Sequence, residues 1–356
     1  MIRQAGFPKP ASERSLPFMN TLCLPADEAA VRQAAELFRQ GQVVAFPTET
    51  VYGLGANALD EQAVRAIFAA KERPADNPLI VHVAHSEQLE GLCEVTGTAR
   101  KLMAAYWPGP MTMLLRKTNA VPDVTTAGLP SVAVRCPRHP VALALLDACG
   151  LPIAAPSANR SGRPSPTTAR HVYEDMQGRI PLILDGGACQ VGVESTVVDL
   201  TGPIPCVLRP GAVTPEDIAA VAGQCTVAPS VMRPLKEGET APSPGMKHRH
   251  YAPKAKMTVV VGGDDAVVSE LIRRYDAAEN AVILAHDSLL SRFGSRRVYP
   301  LGDTPLATAH CLFQRLREMD ETGCSLILAQ GWEAVGEGLA VMNRMARAAA
   351  FDIVQV

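Results

Sequence analysis

Short apolar runs alternate with amphipathic stretches from residue 22 to about residue 212. Asp27 to Arg39 repeats apolar positions at helical spacing, as does the stretch after Asp60, where Val64, Ile67 and Phe68 share one face. Asp60 is placed to cap that second helix, which runs to about Lys71 before Pro74 stops it. Ala99 to Tyr106 and Pro140 to Cys149 predict two more helices. Ser165-Pro166 has the form of an N-cap followed by proline at the first helical position, opening a helix to about Met176. Val43 to Phe46, Leu79 to Val83, Met111 to Arg116, Ser131 to Arg135, Pro152 to Ala155 and Ile180 to Leu184 predict strands. Glu194 to Leu200 and Pro205 to Leu208 flank Thr201-Gly202-Pro203 and predict a hairpin. Because some strands are joined by short turns, a mixed α/β (α+β) sheet is expected over a purely parallel one.

From Gly223 to Lys256 prolines, glycines and charges dominate and no period persists, which reads as a linker. Met257 to Val261, Ala281 to Ala285 and Ser325 to Ala329 then predict strands with helices between them. The expected organisation is a flexible extension over 1–21, a catalytic unit over 22–212, a linker or lid over 213–256 and a small α/β unit over 257–356.

Composition narrows the function. The chain has 356 residues, 47 % of them apolar, enough for two cored units. Lys and Arg number 34 against 36 acidic residues, so the net charge of -2 argues against a bulk phosphate-backbone binder. Aromatics are 4 % of the chain, too few for stacking platforms on single-stranded nucleic acid. An RNA-binding module without turnover is therefore the weaker alternative to an enzyme. No apolar run is long enough for a membrane span, and Met1 to Asn20 lacks the apolar core of a secretory signal. Nine scattered cysteines without a C-x-x-C pair fit free thiols in a reducing cytoplasm.

Several polar runs interrupt the apolar pattern. Phe46 to Ala58 carries an apolar strand straight into threonines, a carboxylate and glycines, like a binding loop on a core strand. Its Gly53-Leu54-Gly55-Ala56-Asn57-Ala58 matches G-x-G-x-x-A, but six residues separate it from the strand and no acid closes a second strand, so NAD is not expected. Lys71 to Leu79 holds Lys71, Arg73 and Asn77 in a proline-stiffened loop before a strand, a good phosphate clamp. Pro156 to Thr167 joins a strand to a helix start with Ser157, Asn159, Ser165 and two arginines, an anion site in form. Arg135, Glu194-Ser195 and Arg209 sit at the rims of apolar strands, where a charge must pair with another or face a ligand. His82 alternates with apolar strand neighbours, and His248 and His250 have no companion ligands, so zinc is not expected. Hydroxyls, arginines and a lysine without a nucleophile–base pair suit phosphoryl or nucleotidyl transfer.

These runs resemble one family. FPTETVYGLGANA from Phe46, KERPADNPLIVHV from Lys71, WPGPMT from Trp107 and SVAVRCPRHP from Ser131 carry the resemblance. So do PIAAPSANRSGRPSPT from Pro152, GVESTVVDL from Gly192, VLRPGAV from Val207 and SPGMKHRHYAPK from Ser243. They are similar to the threonylcarbamoyl-AMP synthases with a YrdC-like domain, in their long two-domain form. The resemblance implies a twisted mixed sheet around a basic cleft, with a Rossmann-like C-terminal unit. It implies that L-threonine, bicarbonate and ATP give threonylcarbamoyl-AMP and pyrophosphate, and that a separate transferase complex passes the group to tRNA beside the anticodon. Weak contact with tRNA is compatible with it. Carried over residue by residue, Thr50, His82, Arg135, Ala155 and Ser195 would take threonine. Lys71, Arg73, Asn77, Ser131, Ser157, Asn159, Ser165 and Arg209 would take ATP, with Lys71, Arg73 and Arg209 stabilising the reacting phosphates. His250 and Tyr251 would belong to a lid, and Mg²⁺ would arrive with ATP rather than on protein side chains.

Overall fold

The chain builds two sheets, which a computed structural model describes over residues 19–233 and 251–356. His250, most of the expected lid and the extension up to residue 18 lie outside the described residues. The first sheet has eleven strands. They are β1 (Leu22–Pro25), β2 (Val44–Phe46), β3 (Gly53–Asn57), β4 (Ile80–His82), β5 (Met111–Arg116), β6 (Ser131–Arg135), β7 (Ile153–Ala154), β8 (Leu182–Asp185), β9 (Thr196–Asp199), β10 (Cys206–Arg209) and β11 (Thr226–Val227). Their order is β1-β8-β2-β3-β7-β4-β6-β5-β9-β10-β11. The β1–β8, β2–β8, β4–β6, β5–β9 and β10–β11 pairs are parallel. The β2–β3, β3–β7, β4–β7, β5–β6 and β9–β10 pairs are antiparallel, so the sheet is mixed, as the short connections predict.

The expected helices form as α1 (Glu28–Arg39), α2 (Glu61–Lys71), α3 (Gly97–Tyr106), α5 (Pro140–Cys149) and α6 (Ala169–Met176), with a one-turn α4 (Asp123–Thr126) among them. Asp27 and Asp60 cap α1 and α2 by accepting from backbone N–H groups of the first turn. The apolar faces of α1 and α5 close over Val44, Phe46 and Leu182 in one core cluster, and α2 and α3 cover the larger cluster around Leu54, Val81 and Val134.

Three parts of the sequence reading change. First, Gly53 to Asn57 is a strand rather than a loop, and its glycines answer to packing. A Cβ on Gly55 would lie 2.7 Å from both Ile153 Cγ2 and Phe46 Cε1, so only glycine lets β3 pass between them. Second, Ser165 does not cap α6. Thr168 does, accepting from the His171 N–H, and the Ser165 hydroxyl is spent elsewhere. Third, the expected linker is structured where it is described. Thr214, Pro215 and Asp217 start α7 (Pro215–Ala222) with a capping box, and β11 extends the sheet beyond β10. That box is visible in the sequence.

The second sheet is wholly parallel, in the order β14-β13-β15-β12-β16. Its strands are β12 (Lys256–Val261), β13 (Ala281–Ala285), β14 (Val298–Pro300), β15 (Leu326–Gln330) and β16 (Ile353–Gln355). Three helices complete it, α8 (Asp264–Asp276), α9 (Pro305–Thr322) and α10 (Gly336–Ala348). Val51 and Val193 of the first unit share a buried cluster with Tyr251, Phe313 and Leu316, so the two units meet on an apolar seam. At Gly192, with φ +85°, the backbone approaches so closely that a Cβ would sit 2.4 Å from the Ala309 carbonyl oxygen of α9.

Candidate active site

Strand pairing gathers the polar strand ends. His82 and Arg135 are register partners at the ends of parallel β4 and β6. Ala155 follows β7, whose Ile153 pairs with His82. Ser195 precedes β9, and Arg209 ends antiparallel β10 beside it, after a bulge. The turn between β2 and β3 is tied by Thr48, whose hydroxyl donates to the Val51 carbonyl at 2.6 Å and lies 2.8 Å from Thr50 Oγ1.

Arg135 is buried and reaches three ways. Nη1 donates to Thr50 Oγ1 at 3.0 Å, Nε to the Gly109 carbonyl at 3.3 Å, and Nη2 lies 2.8 Å from Glu49 Oε1. The last contact pairs the two charges. Burial opposes ionisation of Glu49, but the Arg135 charge, together with hydrogen bonds from Arg135 and from the Glu49 and Arg138 backbone, outweighs it and holds the carboxyl below its ordinary range. Burial, and then Arg135, push the His82 imidazole down to about 3, so the ring is neutral beside the guanidinium.

Arg209 donates from Nε to the Ser195 carbonyl at 3.0 Å and from Nη2 to Ser195 Oγ at 3.1 Å. Ser195 Oγ is also 2.8 Å from Thr112 Oγ1. Burial lowers Arg209 and Arg73 to about 10, and both stay cationic at neutral pH. Arg73 stacks over Phe68, with Cζ 5.5 Å from the ring centroid, and donates to the Asn77 carbonyl at 2.9 Å. Its Nε and both amide atoms of the fully buried Asn77 have no hydrogen-bond partner among the described residues. Buried polar atoms are rarely left so, and such groups mark strained or functional positions.

The remaining predicted residues build walls rather than face the cavity. Lys71 donates from Nζ to the carbonyls of Ser157 and Asn159, tying the end of α2 to the loop after β7. Burial, and then Arg73, hold its ammonium well below the ordinary lysine range, so it serves here as a loop anchor rather than a phosphate-facing cation. Asn159 is spent on the same loop: Nδ2 donates to the Arg160 and Arg163 carbonyls, and Oδ1 accepts from Ser157 Oγ. Ser165 donates to Glu194 Oε1. Ser131 begins β6, four residues and so roughly 13 Å of strand away from Arg135.

Thr50, Arg73, His82, Arg135, Ala155, Ser157, Ser195, Arg209 and Tyr251 line one narrow cleft of about 60 Å³, together with Thr48 and Glu194. Tyr251 closes it, 3 % exposed and stacked on Phe313 of α9 with ring centroids 5.0 Å apart. A wider groove of about 940 Å³ runs past Glu87, Glu90, Arg100 and Trp107, but it holds none of the predicted residues. Sequence reasoning missed Thr48 and Glu49, although a carboxylate between two threonines at a strand end is itself a signal. It also missed Arg344, which pairs with Glu194 from the C-terminal unit.

Converging buried arginines and strand-end hydroxyls fit an α/β enzyme that binds and activates anions. Known proteins agree. The Sua5/YciO/YrdC family model, described as Telomere recombination, matches residues 36–211. The model described as Threonylcarbamoyl-AMP synthase, C-terminal domain, matches residues 213–350. The threonylcarbamoyl-AMP synthase of Pyrococcus abyssi is 50 % identical over 335 residues, 93 % of this chain and 97 % of that protein. The Bacillus subtilis threonylcarbamoyl-AMP synthase is 44 % identical, over 93 % of this chain and 96 % of its own length. A crystal structure of P. abyssi Sua5 complexed with L-threonine superposes with a TM-score of 0.87 at 48 % identity, covering 95 % of this chain and 99 % of that one. The chain belongs to the threonylcarbamoyl-AMP synthase family. It is an enzyme, a transferase whose product is an AMP adduct.

Proposed function

We propose that the cleft combines L-threonine, bicarbonate and ATP into threonylcarbamoyl-AMP and pyrophosphate. The observation that carries this is the convergence of buried Arg73, Arg135 and Arg209 with strand-end hydroxyls on one cleft, next to a buried Asn77 amide that has no hydrogen-bond partner among the described residues. Arg135 takes the threonine carboxylate, and Thr50, Ser195 and neutral His82 surround the amino acid, with Ala155 as an apolar wall. The threonine bound to the P. abyssi relative supports that half of the reading. Arg73, Asn77, Ser157 and Arg209 take ATP, while Ser131, Asn159 and Ser165 shape the loops and strand that meet it. Lys71 acts through the loop it anchors.

The chemistry follows from charge. The threonine amine attacks bicarbonate, an N–C bond forming as a C–O bond breaks and water leaves, to give a carbamate anion, and a carbamate oxygen attacks the α-phosphate. One O–P bond forms as the bond to pyrophosphate breaks. Anion meets anion, so fixed cations must offset the repulsion, and Arg73 and Arg209 are aimed for it. Mg²⁺ enters as part of the ATP substrate; among the described residues no group of three His, Cys, Asp or Glu stands ready to hold a resident ion. Tyr251 shields the labile adduct from water. Its consumer is a transferase that modifies tRNA adenosine beside the anticodon, and the cytoplasm is the compartment that fits this reading. Among the described residues no helix is long and apolar enough to cross a membrane, and the nine cysteines are free thiols.

Carbon-13 bicarbonate tests the reading. Incubation with ATP and threonine is expected to give threonylcarbamoyl-AMP carrying the label, read by mass spectrometry. Formation of AMP and pyrophosphate with no labelled adduct contradicts it.

A further inference from the structure

Arg344 of the C-terminal unit holds a residue of the cleft, Glu194. Arg344 lies on α10 among apolar neighbours, is fully buried, and crosses the seam into the first unit. Nε donates to Glu194 Oε2 at 2.9 Å, Nη2 to the Glu194 carbonyl at 3.1 Å, and Nη1 to the Pro210 carbonyl at 2.6 Å. Asn343 Oδ1 accepts a further bond from Nη1 at 3.0 Å. The guanidinium therefore grips the residue before Ser195 and the residue after Arg209 at once. Those two segments are in tight contact, since a Cβ on Gly211 would lie 2.4 Å from Thr196 N and 2.8 Å from the Glu194 carbonyl oxygen.

Charge sharpens the point. Glu194 is buried between Arg344 on α10 and Arg209 on β10, with Ser165 donating to its other oxygen and Tyr251 close by. A buried carboxylate needs a cation. With Arg344 in place, Arg209 keeps its fork on Ser195. Among the described residues Arg209 is the second cation acting on Glu194, and loss of Arg344 would draw it toward that carboxylate and away from the phosphates.

We propose that Arg344 is a positioning residue of the adenylation reaction: it neutralises Glu194 from the second unit and so leaves Arg209 directed at ATP. This makes the C-terminal unit part of the site. The inference rests on the reading of Arg209 as a nucleotide contact.

The test measures ATP affinity by calorimetry and ATP KM by pyrophosphate release, on the full chain. Arg344→Met is expected to raise both the ATP Kd and the ATP KM by roughly tenfold. Glu194→Gln/Arg344→Met, which removes both charges, is expected to recover most of the loss, and Arg344→Lys part of it. In Arg344→Met the Glu194 carboxyl, still facing Arg209, Ser165 and Tyr251, becomes easier to protonate. Its ATP KM should then fall toward that of the double variant as pH is lowered. A merely structural role would not produce that dependence. If Arg344→Met does not fold, the double variant decides alone: wild-type-like ATP affinity supports the proposal, and a tenfold loss overturns it. Equal ATP affinity in Arg344→Met and wild type also overturns it. A wild type that binds no ATP overturns the reading of Arg209 itself, and the inference with it.

Discussion

Arg135 shows how much one residue can be read from sequence and where that reading stops. A charge ending the apolar run Ser131 to Val134 must be paired or face a ligand, and both hold: Glu49 lies 2.8 Å from Nη2, and Arg135 lines the cleft. The pairing was illegible because Glu49 and Arg135 are far apart in the chain and meet only through sheet order. Arg135→Ala is expected to raise the threonine KM roughly 10- to 100-fold, the range for hydrogen bonds to a charged group. An unchanged threonine KM in steady-state kinetics would remove Arg135 from the amino-acid site. His82 makes a different prediction. Its folded pKa of about 3 lies below the unfolded value near 6.5. Between those limits the unfolded chain binds a proton that the folded one does not, so stability is full above about pH 6.5 and is lost as pH falls toward 3. His82→Gln should lose less stability than wild type between about pH 7 and pH 5 in urea unfolding. Equal losses would mean that the ring is not held neutral.

At the scale of elements, periodicity located most strands and helices, and the misses have local causes. Gly53 to Asn57 reads as a loop because glycine belongs to turns by propensity, yet β3 needs glycine to slip between Phe46 and Ile153. Gly55→Ala is expected to cost roughly 1–3 kcal/mol by overpacking. An unchanged urea midpoint would show that the neighbours yield. Ser165 reads as a cap because Pro166 follows it, but Glu194 captures the hydroxyl and the helix starts at Ala169 instead. Tyr251 sits in the left-handed region, with φ 62°, and is stacked on Phe313 over the cleft. That conformation is held only by its surroundings. Tyr251→Ala should uncouple the reaction, giving more pyrophosphate than recovered adduct. A one-to-one ratio, measured by phosphate assay and mass spectrometry, would show that the ring does not shield the product.

Across the whole molecule, the sequence pattern separates a catalytic unit from an α/β unit without visible chemistry, and the structure joins them. Arg344 is inconspicuous in a helix rich in alanine and methionine. Arg317 on α9 is likewise buried, donating to Asp175 at 2.7 Å and to the Pro164 carbonyl at 2.6 Å, in the helix and loop that carry Ser157 and Ser165. Cross-unit pairs leave no local pattern, because each half looks like a stray charge until the fold brings them together. One cleft, made from the ends of β4, β6 and β10 and closed from the second unit, is the central claim. It is tested most directly by pyrophosphate release from ATP with threonine and bicarbonate omitted in turn. Release that requires both is the result predicted here. Release that persists without either would contradict it.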